Sequence, residues 1–405
     1  MPLSRYMRRA LELAARAAGD TSPNPLVGAI VVANGRIVGE GYHRRAGAPH
    51  AERIALREAG ARARGATMYV TLEPCAHRGR TPPCTAAIIA AGIARVVIAI
   101  QDPDARVRGR GIAALQRAGV SVEVGDSAGE AREQNRAYLK HRVTGLPYVT
   151  LKIAQTLDGY VARRKGERTA ITGARAAAFT RGERIEHDIV MIGVDTAIVD
   201  DPLLTVRPPH RRAVPYVRVV VDSRGRMPAH AAMLRDRSAR TIIATTAAMP
   251  RRVRAQLARR AQIMVCTSTR AGRVDLRDLL RRLGAQGHLS VLCEAGPTLA
   301  RALLAARLVD RIHWLIAPKR FDAPSKNGAR SENGARSKNA LLRPVKAPLV
   351  PRAQIRSVAH IGRDVFISAI PEVRPSSPGS SHTKARSSPS KRAPRRAASR
   401  SRMRS

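Results

Sequence analysis

Two periodicities of apolar positions alternate through the first 145 residues. Met7, Ala10, Leu11, Ala14 and Ala18 recur at helical spacing and predict an amphipathic helix over 4–18. Short apolar runs predict strands over 28–33 and 36–41, separated by Asn34-Gly35, the pair of residues a tight hairpin turn favours. A helix over 50–59, a buried strand over 67–72, a helix over 84–91 ended by Gly92 and a strand over 95–100 follow. A helix over 111–118 and a strand over 121–124 complete the series. Alternation of this kind predicts an α/β/α sandwich around a mostly parallel sheet, with loops at strand ends as the places for ligands.

The pattern restarts near Thr144-Gly145-Leu146-Pro147, which sets a boundary between a first domain, 1–145, and a second, 146–370. Apolar strands are predicted over 148–154, 189–193, 217–222, 241–245, 262–266 and 290–293, with helices over 174–186, 276–283 and 297–306. This is again α/β text. A polar, Gly-bearing repeat fills 325–340 and reads as a flexible surface insertion. Strand-like text returns over 353–358 and 364–369, and from 371 to 405 only a Ser-, Pro- and Arg-rich segment remains, expected to be a disordered basic tail.

Composition narrows the function classes. The chain of 405 residues has a formal charge of +43, which would suit nucleic acid, but the arginines are spread through every segment and aromatics make up only 3%. Stacking platforms for bases are therefore missing from the pattern, and no specific nucleic-acid partner is expected. No apolar run reaches membrane-spanning length, so no membrane partner is expected either. The N-terminus lacks a compact apolar stretch and reads as a domain's first helix. Four scattered cysteines (Cys75, Cys84, Cys266, Cys293) form no disulfide framework and point to a cytoplasmic protein. A homo-oligomer is compatible with the sequence, which fixes no number of copies.

The chemistry concentrates in 50–84. His50, Cys75 and Cys84 are one imidazole and two thiols, a set that can bind one catalytic zinc and leave a fourth position open. Glu52 lies two residues past the histidine, where it can move protons beside the metal as the catalytic acid–base group. This is the His-x-Glu…Pro-Cys pattern of zinc deaminases acting on nucleobases. The second cysteine follows after eight residues (Ala-His-Arg-Gly-Arg-Thr-Pro-Pro) rather than the usual two. In the second half, Asp200-Asp201-Pro202 leading to Arg207 is either a phosphate site or an ordinary turn. Glu294-Ala295-Gly296-Pro297 is either an anion site at a helix N-terminus or a tight strand–helix connection.

Pro23-Asn24-Pro25-Leu26-Val27-Gly28, Pro49-His50-Ala51-Glu52 and the Glu73–Cys84 segment resemble the bifunctional deaminase–reductase family of riboflavin biosynthesis. Gln101-Asp102-Pro103, Gly109-Arg110-Gly111-Ile112, the Lys152–Gly159 segment and Val221-Asp222-Ser223 continue the likeness, which covers about residues 4–370. The resemblance implies a cytidine-deaminase-like α/β/α sandwich followed by a dihydrofolate-reductase-like α/β domain. It implies hydrolysis of the 2-amino group of a small-molecule pyrimidine ribotide (2,5-diamino-6-ribosylamino-4(3H)-pyrimidinone 5′-phosphate), then NADPH-dependent reduction of its ribosyl group to a ribityl chain. By the same resemblance His50, Cys75 and Cys84 are the zinc ligands and Glu52 the proton shuttle. Asn24 and His77 are pocket residues or loop supports. Ala154, Thr196, Asp200 and Gly296 are cofactor contacts, and Arg184, Leu204, Arg207 and Glu294 are substrate contacts. Ala295, Ala170 and Tyr160 stand where the family usually has Gly, an aromatic residue and Arg. A methyl group at Ala295 is expected to crowd a cofactor or force an unfavourable backbone angle. A deaminase with a nonreducing C-terminal module is the competing reading on that ground, and an RNA-editing deaminase, suggested by the charge, is a third.

Overall fold

The computed structural model describes residues 4–76, 83–206, 215–321 and 344–372. His77, Arg207 and the 325–340 repeat lie outside them, as does the chain from 373 onward. Pairing reaches the end of the last described segment: Pro371 pairs with Ala353, and Glu372 N donates to Arg352 O at 2.7 Å.

The first sheet contains β1 (Gly28–Ala33), β2 (Arg36–Tyr42), β3 (Thr67–Val70), β4 (Arg95–Ile98) and β5 (Ser121–Val124), in the order β2-β1-β3-β4-β5. It is mixed rather than mostly parallel, because β1 runs antiparallel to both β2 and β3. The cause is local. Asn34 and Gly35 both take left-handed backbone angles (φ 48° and 72°) and fold β2 straight back on β1, a connection parallel strands cannot use. Parallel pairing begins only at β3, β4 and β5.

Alternate residues of the strands face opposite layers. Ala29, Val31, Met68, Val70, Val96 and Ile98 pack with Ala55, Ala59, Ile88 and Leu115 from three helices, Ala51–Ala59, Cys84–Ala90 and Arg110–Arg117. Ile30, Val32 and Val97 pack with Met7, Ala10 and Leu13 of the first helix, Arg5–Ala15. The predicted sandwich is thus present. The first helix, capped by the Ser4 hydroxyl accepting from Tyr6 N, stops at Ala15 instead of 18. Beyond it the backbone tightens into turns, with Ala18 N bonded to Ala15 O and Asp20 N to Ala17 O.

The second sheet is built from β6 (Tyr148–Thr156), β8 (Ile189–Gly193), β9 (Val217–Val221), β10 (Arg240–Thr245), β11 (Gln262–Val265), β12 (Ser290–Cys293), β13 (Arg311–Ala317), β15 (Ala353–Ile361) and β16 (Asp364–Pro371). Two short strands, β7 (Tyr160–Ala162) and β14 (Val345–Lys346), pair separately. The nine-stranded order is β11-β10-β9-β8-β12-β6-β13-β16-β15, antiparallel only where β16 meets β13 and β15. All the strands from β11 to β13 therefore end along one edge, where such sheets place their ligands.

The two domains share a dense junction. Leu289 joins the first domain's core with Met7 and Tyr138. Arg311 makes a bidentate pair with Glu133 (2.6 and 2.9 Å), Lys140 Nζ meets Asp310 at 2.5 Å, and Ser22 Oγ donates to Asp188 at 2.9 Å.

Candidate active site

His50 is the N-cap of helix Ala51–Ala59, which puts Glu52 in its first turn. Cys75 lies on the loop after β3, and Cys84 opens helix Cys84–Ala90 behind Pro83. These three separate elements bring the ligand atoms of His50, Cys75 and Cys84 within 4.8 Å of one another. His50 Nδ1 lies 3.2 Å from Cys84 Sγ and 3.6 Å from Cys75 Sγ. Cys84 N also donates to Cys75 Sγ at 3.4 Å. Hydrogen bonding from Cys84 draws the Cys75 thiol down, while the same contact pushes Cys84 up. A divalent metal held here would favour both as thiolates. Glu52 is 3% exposed and its Oε2 has no hydrogen-bond partner among the described residues. Burial raises its pKa. A His/Cys/Cys donor set beside a buried carboxylate with one unpartnered oxygen fits a zinc ion that leaves one position for a reacting water.

Two supports escaped the sequence reading. His43 accepts from Asn24 Nδ2 at 3.0 Å and donates from Nδ1 to Pro49 O at 3.2 Å, next to the ligand His50. Asn24 therefore acts on the metal loop through His43, which favours its loop-support reading. Glu73 is the other. Its carboxylate accepts from the backbone N–H groups of Asp102, Gly109, Gly111 and Ile112 at 2.9–3.3 Å, which locks the Cys75 loop onto the start of helix Arg110–Arg117. The signal was present as a glutamate between an apolar strand and Pro-Cys, a place where burial demands partners.

In the second domain, Arg184 grips Glu294 through Nε (2.6 Å) and Nη2 (3.0 Å), and its Nη1 donates to Thr205 O at 2.7 Å. Two predicted substrate contacts thus form one half-buried pair. The Leu204 side chain is 4% exposed and packed in the core, so only its backbone (φ 52°) can meet a ligand. Ala154 is half-buried on β6, next to Ile171 and Phe321. Thr196 and Asp200 share helix Val194–Asp200, and burial raises the Asp200 pKa. Gly296 caps helix Pro297–Ala305, and a Cβ there would lie 3.1 Å from Thr196 Oγ1. Thr196 and Gly296 therefore approach each other closely at the N-terminus of helix Pro297–Ala305. Ala295 does not take the unfavourable backbone angle: it is absent from the left-handed positions, and its side chain packs against the main core.

Lys152 is the functional candidate that the sequence reading left inside a motif. It pairs with His313 on β13, and because Cys293 pairs with Leu151, Glu294 stands at the level of Lys152 just past the end of β12. Burial lowers its pKa. A lysine within an apolar strand was the available signal.

A deaminase-type His/Cys/Cys cluster on the first of two α/β sheets in one chain defines a two-domain, metal-dependent enzyme class. Residues 2–100 match the cytidine and deoxycytidylate deaminase zinc-binding region, and residues 147–366 match the RibD C-terminal domain. The riboflavin biosynthesis protein RibD of Escherichia coli is 40% identical over 381 residues, spanning 90% of this chain and 98% of its own. A solved structure of Acinetobacter baumannii RibD superposes with a TM-score of 0.76 at 36% identity, covering 91% of this chain and 98% of that one. The diaminohydroxyphosphoribosylaminopyrimidine deaminase/5-amino-6-(5-phosphoribosylamino)uracil reductase of Thermotoga maritima gives 0.73 at 30% identity, covering 90% and 97%. The chain belongs to the RibD family of riboflavin biosynthesis proteins. Its cofactors are Zn2+ and NADPH. No helix among the described residues is long and apolar enough to cross a membrane.

Proposed function

We propose that this chain is the bifunctional enzyme of riboflavin biosynthesis, deaminating the diaminopyrimidine ribotide and then reducing its ribosyl group to a ribityl chain. The observation that carries it is the convergence of His50, Cys75 and Cys84 within 4.8 Å beside the buried, unsatisfied Glu52. Residues 1–145 would hold the deaminase and 146–370 the reductase; the two helical layers of the first sheet and the separate second sheet support that division. The free thiols support a cytoplasmic location.

Zinc, when bound, supplies a nucleophile near neutral pH, and NADPH, when bound, supplies hydride. His50, Cys75 and Cys84 are the proposed ligands. Glu52 takes one proton from the attacking water and delivers it to the ring nitrogen, then takes the second proton from the hydroxyl left on the ring carbon and delivers it to the amino group as that leaves as ammonia. Its raised pKa suits a group that must both take and give a proton. Asn24 and His43 hold the His50 loop in place, and His77 is proposed as a pocket residue. In the second domain Ala154, Thr196, Asp200 and Gly296 seat the cofactor, and Arg184, Leu204, Arg207 and Glu294 seat the ribotide. Reduction at the anomeric carbon requires the ribose ring to open, and Lys152 and Glu294 are proposed to move those protons, a reading supported by their shared level on β6 and past β12.

The test is Glu52→Gln, which keeps the shape and removes the base. It should retain zinc while ammonia release falls by about 10²- to 10⁴-fold. Deamination at the wild-type rate with zinc in place would refute the role of Glu52.

A further inference from the structure

The loop that carries Asn24 is held from two sides, and the two holds belong to different domains. On the first-domain side Leu26 N donates to Asn135 Oδ1 and Asn135 Nδ2 donates to Leu26 O, both at 2.9 Å. Arg142 Nη2 adds a bond to Pro23 O at 3.2 Å. On the second-domain side Ser22 Oγ donates to Asp188 Oδ2 at 2.9 Å. Pro23 lies over Gly287 of the same domain, where a Cβ would fall 3.6 Å from Pro23 Cβ. Between these holds the loop spans a hollow of about 90 Å³, lined by Thr21, Leu26, Tyr138, His187 and Ser290 among others. A segment laid over a hollow has little packing beneath it, so its hydrogen bonds set its position.

Asp188 is a fixed post. It stands just before β8 and is 4% exposed. The same Oδ2 accepts from Leu289 N at 2.7 Å, and its own N–H donates to Ser290 Oγ at 3.0 Å. Its carbonyl accepts from Val217 N at 2.8 Å. The strands β8, β9 and β12 thus set where the carboxylate stands. At the other end of the path, Asn24 Nδ2 meets His43 Nε2 at 3.0 Å. His43 Nδ1 meets Pro49 O at 3.2 Å, one residue before His50. A continuous path therefore runs from the second sheet through Ser22, Asn24 and His43 to the metal loop, and a buried hydrogen bond to a carboxylate is its one side-chain link between domains.

We propose that Asp188, a residue of the second domain, is a positioning residue for the deamination carried out by the first, holding the Asn24 loop through Ser22. This rests on the reading of the first domain as the deaminase. Asp188 touches neither the ligand cluster nor Glu52, so it acts only through the loop. The deaminase site is then complete only with the second domain docked against it. Coupling of this kind is established by a pair of residues whose effects fail to add, not by the path alone.

The experiment is a double-mutant cycle on the zinc-loaded full chain: wild type, Ser22→Ala, Asp188→Asn and the double variant, with Ser22→Thr as the conservative control. Two rates are followed, ammonia release from the diaminopyrimidine ribotide and NADPH oxidation with the deaminated ribotide. Ser22→Ala should lower kcat/KM for ammonia release by about 5- to 20-fold, part of the worth of a hydrogen bond to a charged group because Asn135 still holds the other side. Its NADPH oxidation should stay within about twofold of wild type, which also shows that the variant is folded. Ser22→Thr, which keeps the hydroxyl, should restore ammonia release. Asp188→Asn should also slow ammonia release, and the double variant should be no slower than the slower single one. Unchanged ammonia release in Ser22→Ala, a loss that Ser22→Thr does not restore, or single losses that multiply in the double variant would each overturn the proposal and leave the deaminase reading standing. Failure of the zinc-loaded wild type to release ammonia would overturn that reading and the proposal with it.

Discussion

His187 ties the stability of the second domain to acidity. It is 4% exposed, its Nδ1 donates to Glu183 O at 2.8 Å, and its Nε2 accepts from Thr150 Oγ1 at 3.2 Å, both bonds of a neutral imidazole. Burial lowers its pKa from 6.5 to about 4. The unfolded chain therefore binds a proton that the folded chain refuses, so the stabilisation is complete above pH 6.5 and is lost as pH falls to about 4. The full amount is roughly 3 kcal/mol. Urea melts at pH 7 and pH 5 should show a drop in midpoint that shrinks in His187→Gln, and an equal drop in both proteins would contradict the assignment. At this scale the sequence was legible where a residue type is rare and chemically committed: His50, Cys75, Cys84 and Glu52 stood out because their spacing matches metal chemistry. His43, Lys152 and His187 did not, because each derives its role from neighbours far away in sequence, such as Asn24, His313 and Thr150.

Among the elements, the metal loop depends on a clamp rather than on the ligands alone. Glu73 gathers four backbone N–H groups, and Gly111 lies so close to the loop that a Cβ would fall 2.0 Å from Pro74 O. Gly111→Ala should therefore push the Cys75 loop off helix Arg110–Arg117 and lower zinc content per chain, together with the melting temperature. Full zinc content in that variant would show that the loop holds its position without the clamp. The elements themselves were readable where the apolar period was clean, as in helix Leu276–Ala285, whose Asp275 cap and buried leucines follow it. Strand β13 was missed although it lies inside the sheet between β6 and β16, because Arg311 and His313 break its apolar run. Both are satisfied by partners invisible locally, Arg311 by Glu133 of the first domain and His313 by Glu183. The antiparallel β1–β2 start was written in Asn34-Gly35; the error lay in giving the later alternation more weight than that turn.

For the whole molecule, the restart of the pattern near Thr144–Pro147 was visible in the sequence, whereas the bonding across it was not. Lys140–Asp310, Arg311–Glu133 and Ser22–Asp188 join residues more than a hundred positions apart, and no local period announces them. The two domains thus pack as neighbours, and Gly296 lies in close approach to Thr196 next to Ala295. Both halves are proposed to work in sequence on one ribotide. The direct measurement supplies the diaminopyrimidine ribotide to the zinc-loaded chain with and without NADPH, following ammonia release and nicotinamide absorbance together. Ammonia is expected in both cases and, with NADPH present, one nicotinamide oxidised per ammonia released. Ammonia release with no NADPH oxidation would contradict it, as would NADPH oxidation without ammonia release.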